Sequence, residues 1–237
     1  KIDVKYTAKL NDKAAIDVLW SLSRSPDADL ALRTLTRLYA EVGAEEWSEI
    51  DAAIRADKGF RGRLFAVIGS SDALADHLVA EPASWRLLLD DELPDRDEID
   101  RLMLESVDAI AEPGELEKGN RIHRAGLTGP KAVVALRLAY RNLMLRLAAH
   151  DVASTVEDEP VMWFPEVGAY LADMADAALT AALAVAYREV CGDKPIPVRL
   201  AVIAMGKCGA RELNYVSDVD IIFVSEPADG VAARIAG

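Results

Sequence analysis

Residues Val198 to Val224 read VRLAVIAMGKCGARELNYVSDVDIIFV, and the order of their parts decides the fold class. Val198 to Met205 is a short apolar run, the mark of a buried strand. Gly206-Lys207-Cys208-Gly209 is a turn, and Ala210 to Asn214 is short enough for one helical turn. Val219 to Val224 is a second apolar run and reads as a second buried strand. A strand has a period of two, so Asp218 and Asp220 point to one face together with Ile222 and Val224. Val219, Ile221 and Phe223 then point to the other, into a core.

Two aspartates on one face can hold Mg²⁺, a hard cation that takes oxygen ligands and keeps positions open for phosphate. A metal held there can activate an attacking oxygen and stabilise a leaving one. The spacing alone is weak, because Asp27-Ala28-Asp29 and Asp95-Arg96-Asp97 repeat it with no function assigned. What sets Asp218 and Asp220 apart is an apolar strand in which unpaired charge is costly. Gly206 and Gly209 let backbone approach a ligand closely. The helical turn that follows would aim N–H groups at an anion. Lys207 adds positive charge near a phosphate, although a lone lysine reads equally well as solvated. Ser217 can donate a hydrogen bond beside the metal site. Arg211 and Glu212 read as an exposed ion pair.

Outward from this stretch the chain is helical. Leu19, Leu22, Leu30, Leu32, Leu35 and Leu38 recur at mostly helical spacings between Ala14 and about Ile110. Ser25-Pro26-Asp27 breaks the first two helices, and Asp27 is placed to cap the second. Ser70-Ser71-Asp72 reads as the cap of a helix that ends by Pro82. Trp20, Trp47 and Trp85 read as core aromatics. Glu112 to Pro130 carries Pro113, Gly114, Gly119, Gly126 and Gly129 and reads as a loop or boundary. A long helix is expected from Pro130 to about Ser154, with Pro130 in its first turn. After a break at Thr155 to Pro165, an Ala-rich helix should run to about Gly192. Arg137, Arg141 and Arg146 punctuate the first of these long helices. They suit a phosphate or an acidic partner, but salt bridging within an acidic chain is the simpler reading.

The fold expected is mainly α with a partial α/β core. Residues 1–125 read as a helical leader, and residues 126–237 as the start of a second domain that contains the first strands of that core. Lys1 is not a methionine and the last residues are Ala-rich, so both ends read as cut and the chain as a piece of something larger.

Composition narrows the partners. The 237 residues are 51% hydrophobic and carry a net charge of −13, from 27 basic and 40 acidic residues. Such a surface repels nucleic-acid phosphates and anionic membranes. Cys191 and Cys208 lie in no C-x-x-C spacing, His77, His123 and His150 are scattered, and no zinc-type ligand set is visible. Two free thiols fit a reducing cytosol. The most apolar long stretch, Leu171 to Val190, contains Asp173, Asp176, Arg188 and Glu189, which argues against a membrane span.

The run from Met205 to Phe223, MGKCGARELNYVSDVDIIF, resembles the signature of bacterial glutamine synthetase adenylyltransferases. These are members of the polymerase-β-like nucleotidyltransferase superfamily. Gly206 matches the superfamily's turn glycine, and Asp218 and Asp220 match its metal-binding pair. Cys208 and Ala210 depart mildly from the expected Leu and Gly. The resemblance implies an enzyme with two such domains. One copy removes AMP from a tyrosine of glutamine synthetase by phosphorolysis, giving ADP, and the other adds AMP from ATP. Glu212-Leu213-Asn214-Tyr215 is similar to the E-L-N-aromatic form of the N-terminal, removing copy; the adding copy reads E-L-G-Y. The stretch GSSDALADHL followed by Glu81-Pro82 is similar to that copy's helical leader. The implied cofactor is Mg²⁺, and the implied partners are glutamine synthetase, a PII-type signal protein, ATP or ADP, and phosphate. The location implied is the cytoplasm. A third carboxylate on a later strand, before an L-R-P motif, belongs to the superfamily pattern. No residue up to Gly237 fills that place, since Asp229 lies too close in a turn. The rival readings are a non-catalytic helical module that binds glutamine synthetase or a PII-type protein, and a uridylyltransferase, which Asn214 disfavours.

Overall fold

The computed structural model describes residues 13–112 and 122–228. Eight helices and four short strands occur among them, so the chain is mainly helical with two small antiparallel sheets. The chain forms two compact units. Among the described residues the first comprises 13–93 and 144–162, and the second 94–112, 122–143 and 163–228. Helix α6, Gly129–Val152, contributes its first part to the second unit and its remainder to the first.

The first unit is built on α1 (Lys13–Ser23), α2 (Ala28–Ala56), α3 (Lys58–Ile68) and α4 (Asp72–Ala80). Local chemistry sets their ends. The Asp27 carboxylate accepts from Leu30 N at 2.8 Å, Asp57 accepts from Phe60 N at 3.0 Å, and Ser71 accepts from Leu74 N at 3.3 Å. Each satisfies an N–H that the helix itself leaves unpaired. The expected caps at Asp27 and Ser71 are therefore present. Helix α2 is broken at Gly43, whose φ of 74° and ψ of 177° suit glycine and few other residues.

Helix α3 is the centre of this unit, with every residue from Phe60 to Ile68 buried. Leu38, Ile50, Ile54, Leu78, Leu88 and Leu145 pack around it, and the Phe60 ring meets Trp85 edge-on at 5.7 Å. Two arginines are buried in the same helix, and each is satisfied. Arg61 donates to Ser21 Oγ at 2.9 Å and Ile54 O at 3.0 Å and pairs with buried Glu157 at 3.3 Å. Arg63 donates to Leu88 O and Asp91, both at 2.9 Å. Of the three tryptophans expected in a core, Trp85 is buried and Trp47 packs against the core, but Trp20 is 63% exposed. Trp20 lies on the solvent side of α1, where Ala15 and Val18 form the buried face.

The second unit contains α5 (Arg96–Ser106), α7 (Phe164–Cys191) and two hairpins. Ile110–Ala111 (β1) pairs with His123–Arg124 (β2), so the expected loop of 112–130 holds a strand; its residues 113–121 lie outside the described ones. Buried Arg124 pairs with Glu112 and donates to Tyr187 O, Gly192 O and Lys194 O, a cation at the carbonyl end of α7. Helix α7 is long and apolar enough, by length and composition, to cross a membrane. In this unit its Val167, Leu171, Met174, Ala177, Ala181 and Ala184 are buried, and α5 packs against it. Asp176 pairs with Arg96 at 2.7 Å.

The second hairpin joins β3 (Val198–Ala204) to β4 (Ile221–Pro227), antiparallel, with Val202 opposite Phe223 and Ala204 opposite Ile221. Both strands were expected to be buried, and neither is. Along β3 half-buried and exposed residues alternate, and in β4 only Ile221 is even half-buried. Phe223 is 62% exposed, and Ile203, Ile222 and Val224 are about half exposed. The physical reason is that a two-stranded ribbon has two faces and two edges, and no third strand pairs with it among the described residues.

Candidate nucleotide- and metal-binding site

The candidate residues gather at one end of the β3–β4 ribbon. After Ala204 the chain enters a single helical turn, α8 (Gly206–Gly209). The helical turn therefore falls on the glycine motif itself and not on Ala210–Asn214, as the spacing suggested. Gly209 N donates to Met205 O and Ala210 N to Gly206 O, both at 3.0 Å, which closes the turn. Two glycines are required there. A Cβ on Gly209 would stand 2.5 Å from Ala204 O, and Gly206 has φ of +54°.

Gly206 also lies against one of the aspartates. A Cβ at this position would be 3.3 Å from Asp220 Oδ2. Met205 N donates to Asp220 O at 2.8 Å, so the hairpin ladder continues one rung past β4 and fixes the backbone of Asp220 beside the turn. The structure corrects one expectation here: Asp218 and Asp220 precede β4 and are not within it. Both are exposed, so solvent and not a buried strand surrounds their charge. Ser217, next to them in sequence, is half-buried. Lys207 is exposed and donates to Asn214 Oδ1 at 3.3 Å, and Asn214 Nδ2 donates to Val216 O at 3.2 Å. Gly206 and Asp220 thus meet at the turn, and Asn214 ties the intervening loop back to Lys207.

Carboxylate oxygens on an exposed edge beside a glycine fit a small oxygen-seeking cation that keeps several waters. Among the described residues no group of three or more His, Cys, Asp or Glu could hold a metal ion, and Asp220 is the carboxylate set against the glycine turn.

Arg211 does not pair with Glu212. Its Nη1 and Nη2 donate to Asp173 Oδ1 and Oδ2 on α7, each at 2.7 Å, which holds the guanidinium further toward its charged form. Sequence spacing favoured the neighbour; the fold brings the loop onto α7, 38 residues away. The available signal was an aspartate inside an Ala-rich helix, which needs a partner. Cys208 is buried, and burial pushes its thiol pKa up, with Asp176 adding and Arg211 opposing. It is thus a poor nucleophile at neutral pH. On α6, Arg146 is buried, pairs with Asp90 at 3.2 Å and donates to Glu92 O at 3.1 Å, as an acidic chain allows. Arg137 and Arg141 are exposed and pair with no carboxylate among the described residues, contrary to the salt bridging expected of them.

The profile of the glutamate-ammonia ligase adenylyltransferase family matches residues 61–236. A protein of Nocardia farcinica (strain IFM 10152), called a bifunctional glutamine synthetase adenylyltransferase/adenylyl-removing enzyme, is 60% identical over 222 residues, 94% of this chain and 22% of its own. Proteins of the same name from Mycobacterium avium (strain 104) and Mycobacterium tuberculosis (strain ATCC 25618 / H37Rv) are 54% and 55% identical; each match covers 95% of this chain and 21% of the relative. The chain thus spans about a fifth of the length of the curated relatives it matches. No solved structure matches it. With its glycine turn set against Asp220 and a family match over most of its length, the chain belongs to the glutamate-ammonia ligase adenylyltransferase family.

Proposed function

We propose that this chain supplies part of the N-terminal, adenylyl-removing half of such an enzyme. In this reading residues 198–224 form the metal- and nucleotide-holding edge of a polymerase-β-like domain. The observation that carries it is the approach of Asp220 to Gly206, where a side chain on the turn would crowd the carboxylate. Asn214 supports the choice of half. It is the motif residue that differs between the two copies, and here it accepts from Lys207.

The reaction proposed is phosphorolysis. An oxygen of inorganic phosphate attacks the phosphorus of the AMP group carried by a tyrosine of glutamine synthetase. A new P–O–P bond forms and gives ADP, the bond from phosphorus to the tyrosyl oxygen breaks, and that oxygen takes a proton. Bound Mg²⁺ would lower the charge on the attacking and departing oxygens. Asp218 and Asp220 would hold it through carboxylate oxygens. Gly206 leaves room for a phosphate to come close, Lys207 balances its charge, and Ser217 donates to it. The helical first unit would carry contacts to glutamine synthetase or to a PII-type signal protein. Cys191 and Cys208 as free thiols support a cytoplasmic setting.

The test uses the full-length protein. Asp218→Asn and Asp220→Asn should each abolish ADP formation from adenylylated glutamine synthetase and phosphate, while attachment of AMP from ATP persists. A Mg²⁺ titration separates this reading from a helical binding module, whose affinity for glutamine synthetase would not depend on either aspartate.

A further inference from the structure

The loop between the glycine turn and the two aspartates is held from outside the motif. Arg211 is the pivot of this loop. It is a non-glycine residue with φ of +59°, a backbone conformation that L-residues adopt only under constraint. Its guanidinium lies along α7, with both arms on Asp173 at 2.7 Å and Nη2 within 3.4 Å of Ala169 O. Asp173 is only 12% exposed and takes Arg96 of α5 as a second partner at 3.5 Å. A planar two-point contact fixes orientation as well as distance.

A second observation stands independently of charge. On α7, a Cβ at Gly168 would stand 3.2 Å from Leu213 O and 3.3 Å from Arg211 O and Glu212 Cα. Helix and loop backbone therefore touch where α7 has no side chain. Leu213 is buried, and Glu212 N donates to Lys207 O at 2.8 Å, so the docked segment is tied directly to the turn.

We propose that Asp173 is a positioning residue for the metal-holding pair, acting through Arg211, and that Gly168 is the seat on which the loop rests. The clasp sets where residues 211–217 run, and hence where Asp218 follows them and Asp220 comes to lie beside Gly206. An exposed ion pair of no consequence would need neither the glycine seat nor the left-handed pivot. The proposal rests on the metal-site reading given above, and the experiment separates the two.

The probe is Mn²⁺ binding to the full-length protein by electron paramagnetic resonance, with the Mn²⁺ lost in Asp218→Asn taken as this site's and hydrogen exchange of the amides of residues 207–217 measured alongside. Asp218→Asn is the reference variant and Arg101→Ala, which removes an exposed pair on α5, is the control. Asp173→Asn and Gly168→Val should each weaken Mn²⁺ binding roughly threefold or more, a coupling ordinary for residues in contact. Each should also speed exchange across the loop, and Arg101→Ala should change neither. Gly168→Val perturbs the seat without altering any charge, so it keeps the test decisive if Asp173→Asn fails to fold. Unchanged Mn²⁺ affinity in either folded variant, with Asp218→Asn defective, overturns the positioning role, even if exchange rises. A Mn²⁺ stoichiometry left unchanged by Asp218→Asn overturns the metal-site reading itself, and the positioning role with it.

Discussion

Helix α3 and the β3–β4 ribbon are both short and apolar, and the fold treats them in opposite ways. α3 contains two arginines and is buried along Phe60 to Ile68; the ribbon is almost free of charge and is half exposed on both faces. Burial follows from the partners available and not from hydrophobicity alone. α3 has helices and two 3₁₀ turns, Pro82–Leu88 and Ala153–Thr155, around it, and its guanidinium groups find Glu157, Asp91 and main-chain carbonyls. The ribbon has its own two strands and a turn. A covered Phe, Ile or Val side chain contributes about 1.5–3 kcal/mol, and Phe223, Ile222 and Val224 leave much of this unrealised. The well-packed region holds shape, while the open one presents the glycine turn and the aspartates to solvent.

The sharpest break of this contrast is within α3. Glu157→Ala strands Arg61 as an uncompensated buried charge and should cost about 3–5 kcal/mol in chemical denaturation. A loss below about 1 kcal/mol would mean that solvent reaches the pair. A matched pair of substitutions comes next. Phe65→Ala, at a fully buried position, should cost about 3–5 kcal/mol, whereas Phe223→Ala should cost less than about 1 kcal/mol. Equal costs would erase the distinction between the two regions. Gly206→Ala adds a Cβ where φ is +54° and should cost about 1–2 kcal/mol, while also crowding Asp220.

The smallest effect concerns pH. Burial, with Arg63 adding, pushes the His150 pKa below its ordinary value of 6.5. The unfolded chain then binds the proton more readily than the folded one. The first unit should lose stability as pH falls from above 6.5 toward the folded pKa, and the loss levels off below that pKa. His150→Gln should flatten this part of the stability–pH curve, measured by thermal melts between pH 7.5 and about pH 5.

Much of the fold was legible because it is written locally. Asp27 and Ser71 cap the helices their sequence contexts indicated, and the two long helices run within a few residues of their expected ends. Prolines, caps and leucine spacing act over a few residues and need no knowledge of the rest. Long-range partners were not legible. Sequence proximity pairs Arg211 with Glu212, but the fold sets it on Asp173; Trp20 suits a core by composition, but it lies on the solvent side of α1. The turn glycines and the aspartates were identifiable by spacing. That Asp220 would lie beside Gly206, one rung past the end of β4, depends on the register of two strands separated by sixteen residues of loop and turn.

The most direct test is the pair of rates of full-length protein carrying Asp218→Asn. Removal of AMP, followed as ADP formed from adenylylated glutamine synthetase and phosphate, should fall by roughly 10²-fold or more. Attachment of AMP from ATP should stay within about twofold of the unsubstituted protein, since distant and independent sites do not couple. Intact removal, or lost attachment with removal preserved, would contradict the assignment of Asp218 and Asp220 to the adenylyl-removing site.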